Sequence, residues 1–325
     1  SNTVHSGDGA DHITISGNSN SIDGGDGDNE VSVASGKTGN NITTGNGNDH
    51  ITVDGNTNTV DAGGGTNEVT VGGNSNDVTT GNDSDTITVN GGSNTVHSGD
   101  GADHITISGN SNSIDGGDGD NEVSVSGNDN NVVTTGDNDS VTISGDRNTV
   151  NAGNGANKIT VNGGDHNQIT TGNDADDITV SSTSHDNTIH AGNGANNLTI
   201  AGYQNDVVSG NDADHITVSG SDNTVNAGDG ANVITISGSD NSVVADGGDD
   251  SVTISGDSNT VNAGNGANKI TVDGGDRNQI TTGNDADDIT VSSGSSHNTI
   301  NAGNGANNIT IDGDHNDVVS GSDAD

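Results

Sequence analysis

The chain repeats itself about every 18 residues from its first residue to its last, and this period limits the possible folds more than any single residue does. One copy, DNTVNAGDGANVITISGS, runs from Asp222 to Ser239, and another, SNTVHSGDGADHITISGN, runs from Ser93 to Asn110. About eighteen copies follow one another. A short fixed period is typical of a solenoid, in which each repeat forms one coil that contacts its neighbours.

The repeat predicts one continuous array over residues 1–325 rather than separate domains. Residues 1–33 are identical to residues 93–125, and residues 148–161 match residues 259–272, which indicates that the array has grown by copying coils. The chain starts at a repeat boundary and stops within a repeat. We therefore expect it to be a fragment of a longer protein.

The composition excludes an ordinary globular core. The chain has no Phe, Trp, Met, Cys or Pro, its one aromatic residue is Tyr203, and its apolar content is 24%, about half the usual share. With a net charge of −43, composition alone would favour disorder, but Ile and Val recur at fixed positions. The lack of Cys excludes disulfides and thiolate metal sites, and no apolar run is long enough to cross a membrane.

Each copy contains two short strand patterns separated by turn residues. In the copy Asp222–Ser239, Ile234 and Ile236 alternate with Thr235, which predicts a strand with both Ile side chains inward and Thr outward. Val225 marks the second strand, and the Gly-rich residues between the strands suit tight corners. Parallel coils stacked about 4.8 Å apart would form an all-β parallel β-solenoid of about 18 coils, roughly 85 Å long and without helix.

An Asn precedes the Val of the second half-repeat by two residues in nearly every coil. Stacked coils would bring these amides into register, where they can hydrogen-bond to each other and to the turn. The pattern therefore predicts a structural Asn ladder. Representative positions are Asn20, Asn58, Asn94, Asn148, Asn187, Asn223, Asn259 and Asn298.

The first half-repeat carries a calcium-type motif. Segments such as SGDGADHIT at residues 98–106 and TGNDADDIT at residues 171–179 resemble the nonapeptide G-G-x-G-x-D-x-U-x of the RTX, or hemolysin-type, calcium-binding β-roll family. The resemblance implies Ca²⁺ held by Asp and by backbone carbonyls of adjacent Gly-rich turns. The candidate ligands that it implies are Asp11, Asp49, Asp85, Asp103, Asp176, Asp214 and Asp287.

Two features of the repeat differ from that family pattern. The second half-repeat lacks the G-x-G-x-D frame and carries Asn. In addition, the Asx of the first half mostly alternates between coils, as in Asp176, Asn196, Asp214 and Asn232, which relieves repulsion between stacked carboxylates. Calcium at half of the coils and a metal-free Asn/Asp ladder are both open.

The charge of the chain predicts an association with cations. A net charge of −43 over about 85 Å is roughly one charge per 2 Å, close to the linear charge density of duplex DNA. Such an array should condense counterions and resist folding at low salt. The same sign excludes nucleic acid as a partner.

The outward position of the Ile-x-Ile strand holds a column of Thr. The ordinary interpretation is that Thr suits an exposed strand and packs against its copies. A Thr row on a β-solenoid also suggests ice binding. Charged neighbours such as His12 and Glu30 disfavour the flat neutral surface that ice binding needs. The eleven His residues are dispersed, so no preformed transition-metal site is expected. The Thr column includes Thr52, Thr106, Thr179, Thr199, Thr235 and Thr290.

Uniform repeats leave no unique pocket, so we do not expect an enzyme. The sequence favours a cation-stabilised structural rod or fibre, secreted or at the cell surface: an adhesin extender, a surface filament or a matrix component. The partner that the sequence leaves open is a further copy of the chain, associated end to end or laterally. Neither nucleic acid binding nor membrane insertion is expected. The alternatives are an ice-binding β-solenoid and a calcium-responsive RTX module of a secreted enzyme or toxin.

Overall fold

The computed structural model describes residues 1–321, and these residues form strands and turns with no helix. Successive coils pair in parallel and in register about 18 residues apart. This confirms the predicted all-β parallel β-solenoid of about eighteen coils. The coils fall into two units, residues 1–158 and the residues from 159 onward, and each unit is described by itself.

In the first unit, short strands alternate along the chain with strands of four residues. The short, odd-numbered strands pair in parallel from one coil to the next, and the four-residue, even-numbered strands form a second parallel ladder. In chain order the strands are β1 (Thr3–His5), β2 (His12–Ile15), β3 (Ser21–Asp23), β4 (Glu30–Val33), β5 (Asn41–Thr43), β6 (His50–Val53), β7 (Thr59–Asp61), β8 (Glu68–Val71), β9 (Asp77–Thr79), β10 (Thr86–Val89), β11 (Thr95–His97), β12 (His104–Ile107), β13 (Ser113–Asp118), β14 (Glu122–Val125), β15 (Asn131–Thr135), β16 (Ser140–Ile143) and β17 (Thr149–Asn151).

The second unit has the same two parallel ladders. Its strands are β18 (Lys158–Val161), β19 (Gln168–Thr170), β20 (Asp177–Val180), β21 (Thr188–Gly192), β22 (Asn197–Ile200), β23 (Asp206–Ser209), β24 (His215–Val218), β25 (Thr224–Asn226), β26 (Val233–Ile236), β27 (Ser242–Val244), β28 (Ser251–Ile254), β29 (Thr260–Asn262), β30 (Lys269–Val272), β31 (Gln279–Thr281), β32 (Asp288–Val291), β33 (Thr299–Asn301), β34 (Asn308–Ile311) and β35 (Asp317–Val319).

The core of each coil is a thin layer of aliphatic side chains. In the coil that contains β25 and β26, Val225, Ile234 and Ile236 are fully buried, whereas Thr235 is partly exposed. This is the inward and outward alternation that the sequence predicts. A further buried position follows each short strand and holds a small residue such as Ala227 or Thr80.

Three coils carry two extra residues at a turn, two coils carry one, and the strands keep their register. The two-residue insertions form turns near residues 35–36, 182–183 and 293–294. Across the first of these insertions, the backbone N–H of Asn20 still donates to Oδ1 of Asn40, at 3.0 Å, although the two residues are 20 positions apart. Insertions are therefore accommodated at one corner without disturbing the strands.

A second corner is built mostly from non-glycine residues in the left-handed conformation. The residue before a buried Asn of the short-strand side is left-handed, with φ between 53° and 60° at the non-glycine residues such as Ser75, Ser93 and Asp222, and with φ 66° at Gly39. This conformation is unfavourable for most residues. It aims the Ser93 N–H at the carbonyl of Asn110, at 3.0 Å, and the N–H groups of Ser75 and Asp222 make the same kind of hydrogen bond to the next coil.

Candidate functional site

The side chains that distinguish this chain are two buried columns of Asn and Asp. The first, which we term the Asn ladder, lies just before the short strands. In the first unit it consists of Asn2, Asn20, Asn40, Asn58, Asn76, Asn94, Asn112, Asn130 and Asn148, and in the second of Asn167, Asn187, Asn205, Asn223, Asn241, Asn259, Asn278, Asn298 and Asn316. All eight positions named from the sequence lie in this ladder and are at most 7% exposed.

Most amides of the Asn ladder hydrogen-bond to the next amide along the stack. The backbone N–H and the Nδ2 of Asn76 both donate to Oδ1 of Asn94, at 2.8 and 3.3 Å. Asn94 repeats this pattern toward Asn112, at 2.8 and 3.1 Å. Nδ2 of Asn76 also donates to the carbonyl of Gly55, which ties the ladder to the adjacent turn.

The second column, the Asx ladder, lies just before the four-residue strands. It links coils mainly through backbone N–H groups that donate to side-chain oxygens: the N–H of Asn67 donates to Oδ1 of Asp85 at 2.7 Å, and the N–H of Asp85 donates to Oδ1 of Asp103 at 2.8 Å. Its members are Asp11, Asn29, Asp49, Asn67, Asp85, Asp103, Asn121, Asp139 and Asn157 in the first unit, and Asp176, Asn196, Asp214, Asn232, Asp250, Asn268, Asp287 and Asn307 in the second.

The hydrogen bonds of the two ladders explain why only one of them admits Asp. In the Asn ladder, Nδ2 donates along the stack, so an Asp would place an acceptor oxygen against the Oδ1 of the next coil. In the Asx ladder, the amide instead turns toward its own coil: Nδ2 of Asn29 donates to the carbonyl of Gly27 at 2.7 Å, and Nδ2 of Asn121 to that of Gly119 at 2.9 Å. A carboxyl can therefore replace the amide there without breaking the contacts between coils.

Burial makes the ladder carboxyls unusual acids. Desolvation raises the pKa of Asp103 and Asp139 to about 6 and that of Asp250 to about 7, because the ionised form loses contact with water. Hydrogen bonds from the hydroxyls of Ser98 and Thr134 act in the opposite direction on the pKa of Asp103 and Asp139. Asp250 has no such hydroxyl partner.

All seven candidate calcium ligands lie in the Asx ladder, and six of them, all except Asp11, are almost completely buried. Of these seven, Asp85 and Asp103 are the pair in consecutive coils, and the others are separated by Asn or by more than one coil. Five of the seven use Oδ1 to accept the backbone N–H of the preceding coil, as Asp49 does from Asn29. The second oxygen, Oδ2, is buried without a hydrogen-bond partner in Asp49, Asp85, Asp103 and Asp287, whereas Oδ2 of Asp214 accepts from a Ser hydroxyl.

The donors around these carboxyls are all oxygens, which suits a hard cation. Ca²⁺, however, takes six to eight oxygens, and residues 1–321 contain no group of three or more His, Asp or Glu side chains arranged to hold a metal ion. A calcium ion here would take most of its ligands from turn carbonyls and water. Calcium binding stays a prediction.

The sequence did not predict a set of exposed ladders at the turns. Their hydrogen bonds run in the direction opposite to those of the two buried ladders. In the two buried ladders the N–H of one coil donates to a side chain of the following coil. At the surface, the N–H of Asn74 donates back to Oδ1 of Asn56, and the N–H of Gly92 back to Oδ1 of Asn74, both at 2.7 Å. The sequence signal for these exposed ladders was the recurrence of Asn or Asp at a fixed turn position in successive coils.

The outward Thr column is in register within each unit. Thr52 pairs with Thr70 in the first unit, and Thr199 with Thr217 in the second. The position two residues before each Thr carries ionisable groups in several coils: Nδ1 of His12 lies 2.9 Å from Oε2 of Glu30. The Thr column is thus flanked by an exposed column of His and Glu in the first unit.

One surface cluster in the second unit departs from the repeat. The ring of Tyr203 stacks on His185 with centroids 4.7 Å apart, and His166 meets His185 edge-on. His185 also lies between the carboxylates of Asp165 and Asp186, at 2.8 and 2.7 Å. These contacts satisfy both nitrogens of the His185 ring.

A family model described as "Protein of unknown function (DUF3060)" matches residues 71–128 and 125–184. The two matches cover about a third of the chain and carry no functional assignment. No curated protein and no solved structure matches the chain. Among residues 1–321, no helix is long and apolar enough to span a membrane.

Proposed function

We propose that this chain is a structural rod or fibre segment that acts outside the cell, as an adhesin extender, a surface filament or a matrix component. The observation that carries the proposal is the pair of buried ladders, which repeat the same hydrogen bonds from coil to coil within each unit. An array of this kind can act as a spacer of defined length and resists unfolding. A spacer role requires no residue that occurs in only one coil.

The distribution of reactive groups supports a structural role over a catalytic one. The described carboxyls are divided between a buried ladder and an exposed shell. A cavity of about 160 Å³ is lined mainly by aliphatic side chains of the first coils, including Val4, Ile13 and Ile15. These are packing residues, and catalysis needs a positioned acid, base or nucleophile.

We further propose that cations, with calcium as the first candidate, stabilise the array. The net charge of −43 raises the free energy of the compact state through self-repulsion, and bound or condensed cations reduce it. The buried carboxyls are the places where a cation would have the largest effect, because screening by water is weakest there.

A deletion series tests the structural role. Removing the 18 residues Ser93–Asn110 joins equivalent positions of two coils, so the protein should keep its β circular dichroism and shorten by about 4.8 Å per deleted coil in small-angle scattering. Removing only residues 93–101 breaks the register and should abolish cooperative unfolding. A dimension that does not fall with coil number would contradict the spacer role.

The cation proposal has its own test. Calcium titrated into chelator-treated protein should raise the thermal midpoint, and an equal ionic strength of sodium chloride should have a smaller effect. The double variant Asp85→Asn/Asp103→Asn removes the adjacent pair of buried carboxyls and should reduce the calcium response, whereas Asp77→Asn, at an exposed strand position, should not. An equal response to both salts would leave only general charge screening.

Ice binding is a second candidate, favoured by the in-register Thr pairs such as Thr52 with Thr70 and Thr199 with Thr217. The His and Glu side chains beside the column in the first unit oppose it, since they are charged or strongly polar and exposed. The structural role therefore ranks first.

A further inference from the structure

The identity of each Asx ladder residue follows the residue five positions before it in the same coil. Where that earlier residue is Ser or Thr, the ladder residue is Asp; where it is Ala or Gly, the ladder residue is Asn in every coil but one. The Asp pairs are Ser6/Asp11, Thr44/Asp49, Thr80/Asp85, Ser98/Asp103, Thr134/Asp139, Thr171/Asp176, Ser209/Asp214 and Thr282/Asp287. The Asn pairs are Gly24/Asn29, Ala62/Asn67, Gly116/Asn121, Ala152/Asn157, Ala191/Asn196, Ala227/Asn232, Ala263/Asn268 and Ala302/Asn307. The exception is Ala245/Asp250.

The structure brings the two members of an Asp pair together in the core. The hydroxyl of Ser209 donates to Oδ2 of Asp214 at 2.5 Å. Both residues are buried, at 6% and 2% exposed. The carboxyl that uses Oδ1 to hold the preceding coil thus receives a donor for its second oxygen from within its own coil.

Two further pairs place the hydroxyl near the carboxyl without a hydrogen bond between them. Oγ1 of Thr134 and Oδ2 of Asp139 are both buried and neither makes a hydrogen bond, and Oδ2 of Asp85 is likewise buried and unpaired. The Thr134 hydroxyl still lowers the pKa of Asp139, and the Thr80 hydroxyl lowers that of Asp85. In these coils the hydroxyl therefore favours the ionised carboxyl although Oδ2 is not bonded to it.

The hydroxyl also lies against the backbone of the following coil. Oγ1 of Thr80 is 2.7 Å from the carbonyl oxygen of Ser98, and Oγ1 of Thr44 is 2.8 Å from that of Ala62. A Ser or Thr at this position thus has two acceptors within its reach, the carboxyl of its own coil and a backbone carbonyl of the next. Its one hydrogen serves one of them at a time: the carboxyl in Ser209, and the carbonyl in Thr80 and Thr44.

In the Asn coils the same place needs no donor and has less room. Nδ2 of Asn121 already donates to the turn of its own coil. A Cβ at Gly116 would crowd Cγ2 of Thr134 in the following coil. A small residue in an Asn coil therefore accommodates the larger Thr of the neighbouring Asp coil.

We propose that these two positions act as one unit that decides, coil by coil, whether a carboxyl is buried, with the Ser or Thr hydroxyl as the positioning residue of the Asp carboxyl. The inference goes beyond the structural role, because it states which coils tolerate a buried acid and which residue permits it. It also identifies Asp250 as the one ladder carboxyl whose coil lacks the hydroxyl, since position 245 is Ala.

A double-mutant cycle at Ser209 and Asp214 tests the proposal in chelator, so that the result does not depend on calcium. Ser209→Ala should increase the unfolding equilibrium constant about tenfold or more, because it leaves Oδ2 of the buried Asp214 without its donor. Ser209→Ala/Asp214→Asn recreates the Ala and Asn pair of the natural Asn coils and should recover most of this loss. Ser209→Thr keeps the hydroxyl and should stay close to the parent protein.

The controls separate the pair from a general loss of stability. Thr217→Ala removes a hydroxyl from the outward Thr column of the same coil and should have the same effect in the parent protein and in the Asp214→Asn variant. Ala245→Thr supplies the missing partner of Asp250 and should raise the unfolding midpoint, a gain that does not require a weakened variant to fold. If Ser209→Ala has the same effect in both backgrounds, or if Ala245→Thr lowers the midpoint, the proposal fails.

Discussion

Gly238 lies directly against the backbone of Gly220 in the preceding coil, so close that a Cβ built on Gly238 would overlap the Gly220 carbonyl oxygen. The φ of Gly238 lies outside the left-handed region. Space between coils, and not backbone conformation, therefore selects glycine there. The same contact recurs at Gly109, which stacks on Gly91, and at Gly127, which stacks on Gly109.

We expect Gly238→Ala to destabilise the protein by about 3 kcal/mol or more, because the added methyl group must push two coils apart. Gly294→Ala is the matched control in the same unit, since a Cβ at Gly294 would come no closer than 3.7 Å to Gly274 and its φ is also ordinary. The control should change the free energy of unfolding by less than about 0.5 kcal/mol. Chemical denaturation monitored by circular dichroism measures both, and equal effects would contradict the steric explanation.

Asn94→Ala should be among the most destabilising polar substitutions in the first unit. It removes the Oδ1 that accepts from the N–H and Nδ2 of Asn76, and it leaves these buried donors unpaired, at a cost of about 1–3 kcal/mol. Asn94→Asp should not restore the loss, because its second oxygen would face Oδ1 of Asn112. The exposed Asn82→Ala serves as the comparison, and similar thermal midpoints for Asn94→Ala and Asn82→Ala would show that the ladder contributes little.

The stability of the second unit should depend on pH through Asp250. Burial raises the pKa of Asp250 to about 7, so the folded state binds its proton more tightly than the unfolded state does. The stabilising contribution is complete below about pH 4 and is lost as the pH rises through 7. Asp250→Asn should therefore match the parent near pH 4 and exceed its stability by about 2 kcal/mol at pH 8, allowing for partial screening.

Urea unfolding at pH 4, 6 and 8 measures this difference. The exposed Asp240→Asn removes a charge of the same sign nearby and should give a difference that does not vary in this way with pH. A pH-independent effect of Asp250→Asn would indicate that the Asp250 carboxyl is ionised and satisfied in the folded protein.

The strands and the aliphatic core could be predicted from the sequence because they depend on local alternation. Ile234 and Ile236 face inward for the same reason in any strand of this pattern, and the recurring Asn94 position follows from stacking alone. The pairing of Thr80 with Asp85 could have been found by comparing coils at that spacing, but its chemistry could not. It depends on a corner that folds a residue back onto one five positions away.

The opposite directions of the buried and exposed ladders were also beyond sequence reasoning. Asn74 and Asn76 are two residues apart and chemically identical, yet Asn76 donates its N–H to the following coil and Asn74 donates to the preceding one. The left-handed corner at Ser75 lies between them. Which side chain turns inward is decided by that corner.

The Thr column offers a test between the two functional candidates. Replacing Thr179 and Thr199 by Leu should leave the fold intact, since both side chains are only partly buried on the outer face. A structural rod predicts that parent and variant behave alike in a thermal hysteresis assay. Hysteresis that is present in the parent and absent in the variant would favour ice binding.

The hydroxyl and carboxyl partners of each Asp unit belong to the same coil, five residues apart, and this has a consequence for the gene. Unequal recombination that gains or loses whole repeats carries both partners together, so a change in copy number separates no buried acid from its donor. The identical stretches 1–33 and 93–125 are what such exchange leaves behind. Length can then vary between lineages at little risk to folding, whereas a single nucleotide change at either partner is exposed to selection at once.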